Sequence, residues 1–377
     1  MSGSVPDRLA VRLPWGLLGM LALVLVVEGS VASLRDDLIR PLGESWRFAA
    51  TAAETQATGR DVLCFGDSLV KYGVLPSVIE ARTGLRAYGL ACSGGTTPSS
   101  FFLLRRALDS GARPRAVVVD FAALLPVADS SSNLLNYPEL TTVRDCLDLA
   151  WASNDPGFFG ASMVAKLLPS FRFRFEIRTS VQAALGGWSL SERASVTSHR
   201  LIWAREQGAQ PTEPGRSRHP LEAMLIEGLC PEGWVCPARD EAYIDRFLDL
   251  AGSRGISVYW LLPPLAPEVH ARRVVHGSDE AYERFVRVVA ARHPNTVVLD
   301  ARGSGYDNSV HADHLHLDRR GATVLSNDVA SVLLDGSREN PGWVALPSLN
   351  GRSGDEPASA VARSRPSEGR RAQGVPR

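Results

Sequence analysis

Three side chains in this sequence are of the types that nucleophilic catalysis needs, and they lie far apart in the chain: Ser68, Asp313 and His316. A serine hydroxyl attacks poorly until a base accepts its proton, and the base needs an acid to hold its tautomer and orientation. Ser68 stands in Phe65-Gly-Asp-Ser-Leu69, and the other two in Val310-His-Ala-Asp-His-Leu-His-Leu317. The Asp-x-x-His spacing can bring the Asp313 carboxylate to Nδ1 of His316 within one loop, leaving Nε2 to face Ser68. Between them lies Cys92-Ser-Gly-Gly-Thr-Thr97, a turn able to aim a backbone N–H at a developing oxyanion with no Cβ in the way. Each segment also has a plainer reading. Ser68 suits a helix cap, and Asp-x-x-His is a common accident. His311, His314 and His316 invite a metal, but they lack helical i, i+4 spacing and precede a helix rather than occupy one. His314 is then a loop or supporting residue. Asp120 reads as a buried cap or hydrogen-bond acceptor.

The elements around these residues give them a place. Asp61 to Phe65 reads as a short buried strand ending in Gly-Asp-Ser, with helical spacing over Val70 to Thr83 and a second strand over Leu85 to Cys92. A helix over Ser99 to Asp109 and a β-branched strand over Ala116 to Asp120 follow. Alternation resumes with a helix over Glu241 to Gly252 and a strand over Ile256 to Leu262. The last predicted elements are a helix over Asp279 to Ala291, a strand over Thr296 to Asp300 and a helix over Arg319 to Leu334. Continuous apolar strands alternating with helices predict an α/β fold whose parallel sheet is covered on both faces. A serine between a strand's carboxyl end and a helix's amino end faces the usual ligand crevice of such a sheet, where the helix dipole favours negative charge. The pattern lapses over about 124–238, a large, mostly helical insertion with helical stretches at Thr141 to Ala152 and Val181 to Leu185. Within it, Phe171-Arg-Phe-Arg-Phe175 reads as a half-exposed strand or a helical turn near acidic lipid, the solvated face being the plainer choice.

The three motif segments resemble those of the SGNH, or GDSL-type, hydrolase superfamily, over Asp61 to Phe121 and Ile256 to Leu334. The resemblance implies a flavodoxin-like three-layer α/β/α sandwich. It implies Ser68 as nucleophile, Gly94 and the Ser68 amide as oxyanion donors, and Asp313 and His316 as acid and base. It implies no cofactor and no metal. One block departs from the pattern: after the third strand the family usually carries Gly-x-Asn-Asp, its Asn completing the oxyanion hole, whereas here Val119-Asp-Phe-Ala-Ala-Leu-Leu-Pro126 has neither Gly nor Asn. Asn133 or Asn136 could supply the amide instead. Loss of one such donor costs on the order of 100- to 1000-fold in rate. Divergent third blocks occur among membrane-tethered relatives that move acetyl groups on exported polysaccharides.

The first 35 residues stand apart. Leu13 to Val27 carries no charge, behind Arg8 and Arg12 and ahead of Glu28. At 1.5 Å per residue this run spans only about 22 Å, reaching the roughly 30 Å of a bilayer core if it extends to Leu34 with Glu28 among the far headgroups. An uncleaved signal-anchor over 1–35 is preferred to a signal peptide cut after Ser30-Val31-Ala32; either way positive charge stays in the cytoplasm and the rest is exported. Residues 36–60 read as a polar stalk, 61–335 as the hydrolase-like domain, and 336–377 as a disordered tail. Cys230 and Cys236 bracket a loop that a disulfide could close; Cys64 and Cys92 read as buried residues, and Cys146 is left over. Lys+Arg 41 against Asp+Glu 41 leaves no net charge and no electrostatic footprint for nucleic acid.

These expectations converge on a membrane-anchored, extracytoplasmic serine esterase whose substrate is an acyl ester or an acylated carbohydrate. O-acyl transfer to exported polysaccharide is the close alternative, and a catalytically silent carbohydrate-binding or scaffold protein on the same fold is the third.

Overall fold

The computed structural model describes residues 15–121, 135–214, 229–335 and 342–349. Among the described residues, six parallel strands form one sheet in the order β2-β1-β3-β4-β5-β6. They are β1 (Val62–Phe65), β2 (Ala87–Gly89), β3 (Ala116–Val119), β4 (Ser257–Leu262), β5 (Thr296–Asp300) and β6 (Trp343–Ala345). The register runs Cys64 against Gly89 on one side of β1 and against Val118 on the other, then Val118 against Tyr259 and Tyr259 against Val297.

Successive strand residues point to opposite faces, and both faces here are apolar, which requires a helical layer on each. Leu63, Phe65, Val117, Val119, Trp260 and Val298 share one core with α3 (Pro41–Thr55), α6 (Thr97–Asp109), α12 (Ala238–Ser253) and α14 (Ser278–Arg292). Cys64, Val118, Tyr259, Leu261 and Leu299 share the other with α4 (Ser68–Gly73), α5 (Pro76–Thr83) and α15 (Arg319–Asp335). The expected parallel sheet between two helical layers is therefore present.

Three local readings differ. The helix expected over Val70 to Thr83 is two, α4 and α5, because Pro76 opens a new helix at its first turn and disfavours helical backbone at the residue before it. The 36–60 stretch is not a stalk. A single turn, α2 (Arg35–Leu38), leads into α3, whose Trp46, Ala49, Ala50, Ala52 and Ala53 are buried in the main core. Small side chains let this helix lie close to its neighbours, so its Ala content marks contact rather than solvation. The 336–377 tail contributes β6, which extends the sheet by pairing Val298 with Trp343 and Asp300 with Ala345; Arg287 lies 3.9 Å over the Trp343 ring. Of the two readings for Phe171 to Phe175 the helical one holds, the segment being split between α9 (Pro169–Arg172) and α10 (Arg174–Leu185) with Phe173 as the junction.

The insertion is helical through α7 (Val143–Ala152), α8 (Pro156–Leu167), α9, α10 and α11 (Arg193–Arg205). A further helix, α13 (Pro267–Val275), follows β4. All five cysteines are free thiols, Cys230 and Cys236 included. At the N-terminus, α1 (Trp15–Ser33) buries none of its residues and has a mean hydropathy of 1.9 over an 18-residue window. It is long and apolar enough to cross a membrane or to act as a signal sequence.

Trp46 is fully buried and donates from Nε1 to the Ser93 carbonyl at 2.9 Å. Trp46→Ala should destabilise the chain by about 3–5 kcal/mol, read as a lowered midpoint in denaturant unfolding of the full chain in detergent. A free stalk would leave that midpoint unchanged.

Candidate active site

The strand order reverses between β1 and β3, the point at which an open α/β sheet forms its ligand crevice, and Ser68 follows β1 directly. The turn that delivers it is tight. Gly66 has φ +137°, and a Cβ there would lie 3.0 Å from the Asp120 carbonyl oxygen and 2.9 Å from Val70 Cγ2, so only glycine fits without displacement. Asp67 then caps α4, its Oδ1 accepting from the Leu69 N–H at 2.7 Å. Ser68 becomes the first residue of the helix. The plainer sequence reading is thus displaced by one residue: Asp67 is the cap, which leaves the Ser68 hydroxyl available for other partners.

That hydroxyl meets His316. Nε2 of His316 is 2.8 Å from Ser68 Oγ, and Nδ1 is 2.8 Å from Asp313 Oδ2. The other Asp313 oxygen accepts from the Leu315 and His316 backbone N–H groups, each at 2.8 Å. The loop is closed by Ala312 N–H donating to the His316 carbonyl at 2.8 Å and by a bridge between His311 and Leu317. Burial raises the Asp313 carboxyl, but the hydrogen bond and charge of His316 and the two amides outweigh it and hold the group at about 2. An ionised Asp313 accepts from Nδ1–H, which fixes the tautomer with Nε2 as the acceptor for the Ser68 hydroxyl. The fold brings these three residues, far apart in the sequence, within hydrogen-bond distance of one another.

The three histidines of the tract turn to three different partners. His316 faces Ser68, Nδ1 of His314 is 2.5 Å from Glu268 Oε1, and Nδ1 of His311 is 2.8 Å from the Asp307 carbonyl. His314 thus supports the loop by tying it to the first turn of α13.

The glycine turn after β2 packs on the turn that carries Ser68. A Cβ on Gly95 would fall 2.5 Å from the Gly66 carbonyl oxygen and 3.2 Å from Asp67 Cα, and Cys92 N–H donates to the same Gly66 carbonyl at 3.1 Å. Gly95 N–H is occupied by the Cys92 carbonyl at 3.0 Å. Gly94 has φ +61°, and among the described residues neither its N–H nor that of Ser68 has a hydrogen-bond partner. Helix α3 braces this turn: Ser93 N–H donates to Ser45 Oγ at 3.0 Å, and Leu42 lies 3.6 Å from where a Gly94 Cβ would stand. Asn136 is buried beside Gly43 of α3, and Asn133 lies outside the described residues. Asp120 is buried at the end of β3.

Three neighbours were not singled out from the sequence. The Tyr72 ring lies 4.7 Å from the His316 ring, and its hydroxyl accepts from Gln210 Nε2 at 2.9 Å. Lys71 is buried, donates to the Ala91 and Gly208 carbonyls at 3.1 and 3.2 Å, and sits 4.6 Å over the Trp203 ring; burial pulls its amine down to about 8. Glu268 is the partner of His314. Tyr72 is four residues after Ser68, one helical turn on, which is the signal that could have found it.

No protein-family model matches the chain, and neither does any curated protein sequence.

Burial pushes the Asp67 carboxyl up to about 6, against the opposing pull of Leu69 N–H and His316. The folded chain thus holds the Asp67 proton more tightly than the unfolded chain does. The stabilisation this gives is full below pH 3.8, the ordinary value, and is lost as pH rises through about 6. Asp67→Asn keeps the acceptor oxygen and cannot ionise. It should therefore unfold at a higher temperature than the parent near neutral pH, by at most about 3 kcal/mol, and lose that advantage near pH 4. Melting curves across this range check it.

Proposed function

We propose that the chain is a serine esterase of the SGNH type, acting on acyl esters outside the cytoplasm. The observation that carries this reading is the continuous hydrogen-bonded line from Ser68 Oγ through both nitrogens of His316 to Asp313, each link 2.8 Å. His316 accepts the Ser68 proton as Oγ attacks the acyl carbonyl. The Ser68 and Gly94 N–H groups receive the oxyanion, and the first-turn amides of α4 add the favourable end of the helix dipole. His316 returns the proton to the leaving oxygen, and water, activated by the same base, releases the acyl group from Ser68. The strand order reversing beside Ser68 supports the three-layer SGNH hydrolase fold. Arg8 and Arg12 ahead of an apolar N-terminal helix support anchoring with the catalytic domain on the outer side.

A second reading, O-acyl transfer to a carbohydrate hydroxyl, shares every step up to the acyl-enzyme. It is favoured by the end of β3, where buried Asp120 and Phe121 stand and no Asn follows directly. A hole with one donor fewer stabilises the oxyanion less, and a bound sugar hydroxyl held at the acyl carbon can compensate through proximity.

A fluorophosphonate probe should label the full-length protein at Ser68, with no labelling of Ser68→Ala. His316→Ala should slow labelling by about 100- to 10,000-fold. Absence of labelling in the parent protein, or equal labelling after loss of His316, removes the serine-enzyme reading and leaves a silent binding protein. Turnover of a chromogenic acetyl ester with and without oligosaccharide acceptors separates the other two. Acceptor-dependent release with acetylated oligosaccharide as product means transfer, and acceptor-independent release means hydrolysis.

A further inference from the structure

The outer surface of the insertion is apolar where it meets α1. Helix α8 turns Gly157, Gly160, Val164 and Leu167 outward along one stripe that carries no charge, and Leu167 is 76% exposed. Helix α10 continues the surface with Phe175, Val181 and Leu185, the last 85% exposed, and Trp188 follows at 67%. A water-facing helix would place charged residues along the α8 stripe, whereas α10 interleaves its apolar residues with Arg174, Arg178 and Gln182.

Between α8 and α10, the single turn of α9 is pinned to α1. Glu28 is the first charged residue after the apolar run, and its Oε2 accepts from Ser170 N–H at 2.8 Å while Oε1 pairs with the Ser170 hydroxyl. The last turn of α1 is fixed to the same body, Val31 packing on a cluster that includes Phe173 and Val196. A charged group that ends a membrane-spanning run marks the headgroup level, so Ser170 is held at that depth. Leu167 is three residues before it and Phe175 five after. The Arg174 guanidinium lies 4.3 and 4.5 Å from the centroids of the Phe171 and Phe175 rings, and Arg178 is exposed on the next turn. Basic groups beside exposed aromatic rings suit the phosphate-to-acyl boundary of a bilayer.

We propose that the outward face of α8 to α10 lies on the bilayer surface next to α1, its apolar side chains in the acyl boundary and Arg174 and Arg178 among lipid phosphates. The insertion then acts as a platform that fixes the tilt of the catalytic domain as well as covering its core. The proposal rests on α1 crossing the membrane, and it is independent of the chemistry at Ser68.

The test uses the full chain reconstituted in phosphatidylethanolamine–phosphatidylglycerol vesicles, in a Cys236→Ser background. Spin labels are placed singly at Leu167→Cys and Leu185→Cys, with Leu21→Cys in α1 and Leu334→Cys at the end of α15 as references. Power saturation compares accessibility to oxygen, which partitions into lipid, with accessibility to a water-soluble nickel chelate. The expected result is that positions 167 and 185 favour oxygen several-fold over the chelate, as position 21 does, while position 334 shows the reverse. The platform is overturned if 167 and 185 match 334 while 21 reads as lipid. If 21 itself reads as water, the spanning helix fails, and the platform with it. Protection from both reagents that disappears when a dimer is dissociated in detergent assigns the face to a second copy instead.

Discussion

Two glycine contacts set how closely the candidate site's segments approach. Gly66 passes so near the Asp120 backbone, and Gly95 so near Gly66, that a methyl group at either position would collide with main-chain oxygen. Because these atoms are backbone, no rotamer change relieves the collision. The turn after β1 can therefore pass directly into α4, and the turn after β2 can lie against it. Ser68 emerges at a helix terminus, and among the described residues its own N–H and that of Gly94 have no hydrogen-bond partner. The rest of the candidate site is arranged around this closely packed Ser68 turn.

The surrounding layers hold that geometry from several directions. Lys71, one turn beyond Ser68, ties α4 to the end of β2 and to Gly208 in the insertion. From the other layer, α3 grips the glycine turn through Ser45 and Trp46. Tyr137 bridges the two, its hydroxyl 2.8 Å from Thr96 Oγ1 and its ring edge-on to Trp46 at 5.4 Å. The histidine loop is fixed independently, by its own hairpin and by the His314–Glu268 pair. Ser68 and His316 meet although 248 positions separate them, because both follow strands of the same parallel sheet and emerge at its carboxyl edge.

Much of this was legible in the sequence, for identifiable reasons. Strands β1, β3, β4 and β5 are mostly apolar runs, and their burial on both faces leaves no polar alternation to confuse them. Ser68, Asp313 and His316 could be picked out together because they sit in short motifs that each follow a strand, and the structure sets them in one hydrogen-bonded line. What was hidden depends on tertiary contact. Helix α3 reads as polar and Ala-rich, and only its neighbours reveal that the Ala face is a core. Strand β6 is three residues in a Gly- and Arg-rich stretch and gains its identity from pairing with β5. Tyr72 and Lys71 are ordinary helix residues until the fold sets one against an imidazole and the other beneath a loop. The Asn that the resemblance leads one to expect after the third strand is not found directly after β3, and Asn136 is buried beside Gly43 of α3.

The brevity of the connection between α1 and α3 has a kinetic meaning. Residues 34–40 join the two helices, and even fully extended they reach no more than about 25 Å, much of which is taken up by the turn at Arg35–Leu38. With α1 in a bilayer, the Ser93–Gly94 turn that α3 braces hovers at a nearly constant altitude. Encounter with anything else confined to that surface becomes a search in two dimensions, governed by lateral diffusion and by the height at which the reactive bond is presented. Soluble molecules of the same chemistry would meet the site only by ordinary collision from bulk. Selectivity in such an arrangement can come from where a bond is displayed, with little demand on how tightly its carrier is held.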